Sequence, residues 1–341
     1  MTGLATDYGR ISFGLPDTLP AMNILIIVNN AAAKAQGAWP MIEQRLNAAG
    51  VGYDIYHTTA PGDATQKTRS ALRAGTRTVA VVGGDGTLGE AAEGFFEFSE
   101  NVTELPFPIN PQAALAVLPA GTGDDFARGL YRRRMPLGDW IDTLIRHCKY
   151  SSALYLVIDV LYGLCDDYQK PFICLNASTM GIGGETAGRV ASQGPFMRRF
   201  SGELRFAVAA LSALTVWRER RVLVRVDDKV IADGQMNLAA VANAFYAGGG
   251  MVLSPDARAD DGRLDVVTAS GLSRTGVIRE LSRIHSGGHV NNPKVRISQG
   301  KIVQLHTFSP EDAMPLEADG NVRGITPVLF QVIPGALRFV F

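Results

Sequence analysis

Apolar residues along the chain follow two rhythms, and the change falls near Cys148. Before it, the runs Asn23 to Val28, Gly52 to His57, Val79 to Val82 and Ala113 to Leu118 alternate with segments that can carry helices, Ala38 to Ala49, Ala64 to Ala74 and Leu88 to Phe98. Strands alternating with helices of about ten residues predict a doubly wound, mostly parallel sheet. After it, the runs Ala153 to Val160, Phe172 to Thr179, Arg221 to Val226, Met236 to Ala242 and Leu264 to Ala269 are short, β-branched and separated by turn residues. These read as antiparallel strands. The expected fold class is therefore an α/β N-terminal domain followed by an antiparallel β domain, with Thr326 to Phe341 returning to the first.

One helical stretch interrupts the second half. Glu203 to Trp217 is apolar but shorter than the ~20 residues that span a bilayer. Between Phe196 and Arg225, seven arginines stand against two glutamates, a net charge of plus five. An apolar helix framed by arginine suits an anionic membrane surface or a lipid-receiving cleft. It equally suits a core helix with a basic rim. Across the whole chain charge changes little: 33 basic and 33 acidic side chains cancel in 341 residues, 46% of them hydrophobic and 19% charged. Two ordinary domains fit that length, and no general attraction to nucleic acid follows from the total charge. The cysteines, Cys148, Cys165 and Cys174, have no paired spacing and read as reduced thiols of a cytoplasmic protein. Residues 1–22 lack the basic start and apolar run of a secretory signal and read as a tail. His285 and His289 are separated by Ser-Gly-Gly, poor helix with no glutamate after the first histidine, so a zinc pair is not expected.

The chemistry concentrates at two glycine loops. In Val79-Ala80-Val81-Val82-Gly83-Gly84-Asp85-Gly86-Thr87, an apolar strand is broken by glycines just before a helix. Consecutive glycines let backbone N–H groups turn towards a large anion, and the helix start adds partial positive charge. Asp85 repels phosphate unless a metal ion or a proton transfer needs it, which points to Mg²⁺-assisted phosphoryl chemistry. The plainer reading is a Gly-Asp-Gly turn. Pro119-Ala120-Gly121-Thr122-Gly123-Asp124-Asp125-Phe126-Ala127-Arg128 repeats the arrangement after the next strand, so both loops should lie at the carboxyl edge of one sheet. Arg128 and Arg132 to Arg134 crowd a helix end and suit its dipole.

Together these loops resemble the diacylglycerol kinase catalytic family, which includes bacterial lipid kinases, sphingosine kinases and ceramide kinases. Thr58 with Gly62-Asp63-Ala64, Asn176, Gly181 to Glu185, Gly248 to Gly250, Pro255, Ala257, Asp261-Gly262, Leu264-Asp265 and Asp319-Gly320 follow in the family's order. The resemblance implies a β-sandwich for the second domain. It divides the chain into a nucleotide-binding domain over residues 23–148 and 326–341 and a lipid-substrate domain over 149–325. It also implies that Asn29, Thr58, Gly83, Gly84, Asp85, Gly86, Thr87 and Thr122 line ATP, and that Asp85 and Asp125, with Lys34 nearby, organise its Mg²⁺. A further Mg²⁺ is implied at Asp261 with the carbonyls of Arg258 and Arg263. In the first loop, Asn30, Ala32 and Ala33 replace the family's proline, serine and glycine.

The family's proton acceptor is the glutamate of Asp-Gly-Glu, where this chain has Asp319-Gly320-Asn321. Asparagine cannot accept the proton. Asp319 remains, and Glu317 shares its face if the segment is extended; either the base has moved or activity is reduced. The resemblance implies an ATP-dependent lipid kinase acting on the primary hydroxyl of diacylglycerol, ceramide or a sphingoid base. Such an enzyme is peripheral at the inner face of the membrane, with homo-oligomerisation open. The alternatives are a soluble-substrate kinase of the NAD kinase type, or a silent lipid-binding regulator.

Overall fold

A computed structural model describes residues 23–150, 155–194, 196–197, 200 and 202–341 of the chain. The tail assigned to residues 1–22, and Arg198 and Arg199 of the arginine frame, lie outside the described residues, as does the side chain of Glu203.

The first half runs β1 (Ile24–Val28), α1 (Ala33–Ala48), β2 (Asp54–His57), α2 (Asp63–Arg73), β3 (Thr78–Gly83), α3 (Asp85–Glu93), β4 (Ala114–Pro119), α4 (Asp125–Tyr131) and α5 (Leu137–Lys149). Its strands pair in the order β2-β1-β3-β4, all parallel. Every residue of β1 and β3 is buried, because helices cover a parallel sheet on both faces. That is why these strands read as unbroken apolar runs. The helix expected from Leu88 begins at Asp85, since the glycine loop closes directly into its first turn.

The second half continues with β5 (Tyr155–Cys165), β6 (Lys170–Cys174), β7 (Ala177–Gly181), α6 (Ile182–Ala191), α7 (Gly202–Val216), β8 (Arg220–Val226), β9 (Lys229–Met236), β10 (Leu238–Ala242), β11 (Leu264–Ala269), α8 (Arg274–Ile284), β12 (Val295–Gly300), β13 (Ile302–Thr307), β14 (Pro315–Ala318), β15 (Asn321–Ile325) and β16 (Val328–Val340). One antiparallel sheet has the order β12-β11-β10-β7-β14-β15. It faces the antiparallel part of the large sheet, and Met180, Val241 and Leu316 pack with Phe172, Val224 and Phe330 in the core between them. The α/β half and the β-sandwich expected from the sequence are both present. β16 pairs antiparallel with β5 and, at Arg338 and Phe339, parallel with β4, so a single sheet runs through both halves.

Two expected strands each divide in two. Phe172 to Thr179 breaks at Leu175 and Asn176, whose amides turn to the Asp319 carboxylate at 2.8 and 2.9 Å. Met236 to Ala242 breaks at Asn237, where the chain leaves the large sheet for the smaller one. The Asn237 side chain accepts from Leu272 N at 2.8 Å and donates to Leu272 O at 3.1 Å, holding the crossing point. Helices α5, α6 and α8 had no counterpart in the sequence reading.

Candidate active site

The two glycine loops touch backbone to backbone. A Cβ on Gly121 would lie 2.5 Å from the Cα of Gly84, a distance no side chain tolerates, so glycine is required for the loops to meet. Beside them, Asn29 Nδ2 donates to Thr87 Oγ1 at 2.8 Å, and Asn29 Oδ1 accepts from Ala31 N at 2.9 Å. Thr58 supports this first loop from behind by accepting from Asn30 N at 3.3 Å. Lys34 Nζ reaches the carbonyl of Gly121 at 3.3 Å, bridging the first and third loops of the sheet edge.

The aspartates are held by backbone amides of α4 and of the glycine loops. Asp85 accepts from Asp125 N at 2.9 Å and Phe126 N at 3.0 Å, so its carboxylate caps a helix that begins 40 residues later in the chain. Asp124, in the left-handed region at φ +50, accepts from Gly121 N at 2.8 Å. Asp125 Oδ2 accepts from Gly249 N at 2.6 Å. Gly248, Gly249 and Gly250 are all left-handed, at φ +64, +92 and +98, which accounts for the glycine triplet. Burial, and then the charge of Asp85, push Asp124 up to about 6 and Asp125 to about 7. Burial raises Asp85 as well, against the amides it accepts. The arginines at the end of α4 do more than answer its dipole: Arg128 and Arg132 lie over Tyr246 and Phe245 of the second half, at 5.3 and 3.9 Å from the ring centres. Arg134 donates to the carbonyls of Thr122 and Gly123.

The Glu317–Asn321 segment corrects an expectation. Residues 317 and 319 do not share a strand face, because the chain turns at Asp319 (φ +51) and Gly320 (φ +81), a two-residue hairpin between β14 and β15. Asp319 points into the protein, 5% exposed, and takes Leu175 N, Asn176 N and the Cys174 thiol, the last at 3.1 Å. A carboxylate so engaged holds the fold together and is poorly disposed to receive a substrate proton. Glu317 diverges from it. Glu317 Oε1 accepts from Thr179 Oγ1 at 2.7 Å and Oε2 from Gly320 N at 2.9 Å, while burial pushes its carboxyl up to about 7. Asn321 Nδ2 donates to the carbonyl of Gly86 at 3.0 Å, tying the hairpin to the first glycine loop.

One cavity of about 1060 Å³ joins these parts. Asn29, Lys34, Gly84, Gly86, Thr87 and Thr122 line it on the α/β side, and Glu317 and Thr179 line it with them. The remaining wall is mostly apolar, built by α6, α7, α8 and the small sheet through residues such as Val190, Phe206, Leu238 and Ile284, with Arg205, Glu280 and His289 among them. Thr58, Gly83, Asp85, Asp125 and Asp319 do not line it directly. Thr179, which holds Glu317, escaped the sequence reading; no local motif marks a threonine in the middle of a strand.

A nucleotide's Mg²⁺ keeps water ligands and takes one or two carboxylate oxygens plus phosphates. Asp125 Oδ1 fits that need, since it is buried and has no hydrogen-bond partner among the described residues. Both Asp85 oxygens already serve α4. No group of three or more His, Cys, Asp or Glu among the described residues is arranged to hold a metal ion, so an all-protein cage does not fit. Asp261, with Arg258 and Arg263, lies off the cavity, and its carboxylate accepts from Arg263 N at 3.0 Å. Asp159, unremarked in the sequence, holds that loop by accepting from Gly262 N at 2.6 Å and ties it to β16 through Gly335 N at 2.8 Å.

Glycine loops at the edge of a parallel sheet, a carboxylate cluster and a β-sandwich meet at one cleft, an arrangement suited to phosphoryl transfer. Residues 23–152 match the diacylglycerol kinase catalytic domain, and residues 181–341 match the YegS C-terminal NAD kinase beta sandwich-like domain. The chain therefore joins a diacylglycerol kinase catalytic domain to a YegS-type C-terminal domain. It is 28% identical over 296 residues to a diacylglycerol kinase of Staphylococcus carnosus, covering 85% of each chain. It is 26% identical to a "Probable lipid kinase YegS-like" of Xanthomonas axonopodis pv. citri, covering 86% of this chain and 88% of that one. The crystal structure of a diacylglycerol kinase from Bacillus anthracis shares the fold with a TM-score of 0.63 at 18% identity, covering 94% of this chain and 97% of that one.

Proposed function

We propose that the chain is an ATP-dependent lipid kinase that phosphorylates the primary hydroxyl of a neutral lipid, with Glu317 as the proton acceptor. The observation that carries this reading is the single cavity, polar at the glycine loops and apolar across α6, α7 and α8, with Glu317 in its wall. ATP lies along Gly84, Gly86, Thr87 and Thr122, whose backbone offers N–H groups to phosphate. Asp125 takes part in holding the nucleotide's Mg²⁺, which when bound neutralises charge on the transferring phosphoryl group. Glu317 accepts the proton of the lipid hydroxyl as its oxygen bonds to the γ-phosphorus; the bond from that phosphorus to the bridging oxygen breaks, and ADP departs. A carboxyl raised to about 7 is matched to that task near neutral pH.

The lipid enters from a membrane surface against which the outer side of α7 rests. Phe196, Phe200, Val208 and Leu211 are exposed there, at 69%, 42%, 43% and 57%, and Phe200 also lines the cavity. In this reading the contact is peripheral, at the inner face; among the described residues no helix is long and apolar enough to cross a membrane.

A soluble-substrate reading draws support from the NAD kinase-like description of the second domain. Incubation with labelled ATP and a panel of neutral lipids, followed by solvent extraction, separates the readings. Label in the organic phase supports the lipid kinase; label on an aqueous acceptor favours the second reading, and label nowhere would overturn both.

A further inference from the structure

Three residues of α3 lie against the hairpin that carries Glu317. Gly86, Gly89 and Glu93 recur every third or fourth position, so they share one face of the helix. On that face the Gly86 carbonyl accepts from Asn321 Nδ2 at 3.0 Å, and a Cβ on Gly89 would lie 2.6 Å from Asp319. Glu93 accepts from Arg323 Nη1 at 2.9 Å, with little of either side chain exposed. Asp319 and Arg323 are also bonded within the second half, to the amides of Leu175 and Asn176 and to the carbonyl of Ile173, so they hold the hairpin in the fold. Asn321 differs: among the described residues its side chain donates to Gly86 alone.

Gly86 and Thr87 line the cavity, as do Glu317 and Gly320, whereas Asn321 does not. A carbonyl only accepts, so the nitrogen of the Asn321 amide is the atom that faces Gly86. That carbonyl belongs to the first turn of α3, the end of the helix whose N–H groups have no acceptor within it. From this we infer that Asn321 is a positioning residue: it stands where the family has its glutamate, yet it acts by tying the glycine loop to the hairpin, so that phosphate on the loop and the Glu317 carboxylate keep one separation. This rests on the lipid-kinase reading with Glu317 as proton acceptor. Transfer between positioned groups loses rate steeply when they shift by about 1 Å, which is what a direct bond between the two halves prevents. An ionised carboxylate at position 321 would meet the Gly86 carbonyl acceptor to acceptor and push loop and hairpin apart.

The test compares Asn321→Ala, Asn321→Asp and Asn321→Glu with the wild type. For each, kcat is measured per folded molecule on a short-chain diacylglycerol and a short-chain ceramide in mixed micelles. Affinity for a fluorescent ATP analogue with Mg²⁺, and hydrogen–deuterium exchange of the amides at the start of α3, are measured without lipid. Asn29 still braces Thr87 and Asp85 still caps α4, so nucleotide affinity should change little. The kcat should fall about tenfold or more in all three variants, the scale of one lost hydrogen bond, and exchange over residues 86–89 should quicken. Asn321→Asp discriminates best, since it keeps the size of the side chain and removes the donor. Full kcat in Asn321→Asp, or unchanged exchange in all three variants, would overturn the inference while leaving the kinase intact. Recovery of activity on adding Asn321→Glu to Glu317→Gln would overturn it too, because the carboxylate would then be acting from position 321. A wild type that phosphorylates neither lipid, with faster exchange in Asn321→Ala at unchanged stability, would uphold the tie and defeat the kinase reading.

Discussion

The Thr179 hydroxyl donates to Glu317 Oε1 at 2.7 Å, so a strand of the small sheet sets the orientation of the carboxylate in the cavity wall. This bond and the Gly320 amide lower the Glu317 pKa, while burial raises it by more. If Glu317 is the base, Glu317→Gln reduces kcat by at least about a hundredfold, the lower end of general-base contributions. Thr179→Val removes one stabiliser of the ionised form, so the acid limb of the kcat/KM profile moves to higher pH with a smaller loss at its plateau. A profile unmoved in Thr179→Val, with full rate in Glu317→Gln, removes Glu317 from the reaction.

Asp319 behaves differently. Two buried amides and a thiol converge on its carboxylate, and a Cβ on Gly89 of α3 would lie 2.6 Å from Oδ2, so the helix after the first glycine loop rests directly on it. Asp319→Asn leaves one of the amides facing an NH₂ group, at a cost of about 1–3 kcal/mol. Thermal unfolding should fall by several degrees, and residual activity should follow the folded fraction. A fully stable but inactive Asp319→Asn would restore it as the proton acceptor.

What could be read in the sequence was local. β3 and β4 are apolar runs because both faces of a parallel sheet are covered, and each runs into a glycine loop. The resemblance then supplied the sandwich. Thr179 is 138 positions from Glu317 and Gly249 is 124 from Asp125, and such pairs leave no periodicity. The expectation that Glu317 and Asp319 share a face failed because strand alternation was carried one residue into a hairpin whose Asp-Gly pair is itself a turn signal. The break at Leu175 and Asn176 was hidden for a related reason: what splits that strand is a carboxylate from the far end of the chain.

Asp125 carries a pH signature. Its carboxyl stands at about 7 in the folded chain, above the ordinary value of 3.8, because burial and the Asp85 charge disfavour ionisation. The folded state therefore holds a proton that the unfolded chain releases between about pH 4 and 7, and the stability it contributes below pH 4 is lost as pH rises to 7. Asp125→Asn keeps an oxygen for the Gly249 amide and cannot ionise. Its melting temperature should vary less than that of the wild type between pH 5 and 8 and exceed it at pH 8, while lipid phosphorylation falls. Parallel melting curves for the two proteins across that range would refute the assignment.

The last prediction concerns how α7 meets lipid. Its inner side packs Ala209, Ala213 and Leu214 into the protein, while Val208 and Leu211 are exposed; ahead of the helix Phe196 and Phe200 are exposed too, their rings in edge-to-face contact with centres 5.4 Å apart. The arginines that follow are less available than their number suggests. Arg218 and Arg220 both donate to the carbonyl of Glu311, and Arg221 lies over Phe308. A guanidinium engaged in this way attracts anionic lipid through its charge, worth roughly 1 kcal/mol per residue near the surface. An inserted aliphatic side chain contributes about 1.5–3 kcal/mol. Val208→Ser with Leu211→Ser should therefore weaken vesicle sedimentation more than Arg218→Gln with Arg220→Gln, and only the arginine variant should become less sensitive to added salt. Because Phe200 and Phe206 line the cavity, the serine variant should raise KM for lipid in vesicles while leaving turnover of a short-chain, water-soluble lipid near the wild-type value. Unchanged vesicle binding in both variants would detach α7 from the membrane and leave it as a wall of the cavity alone.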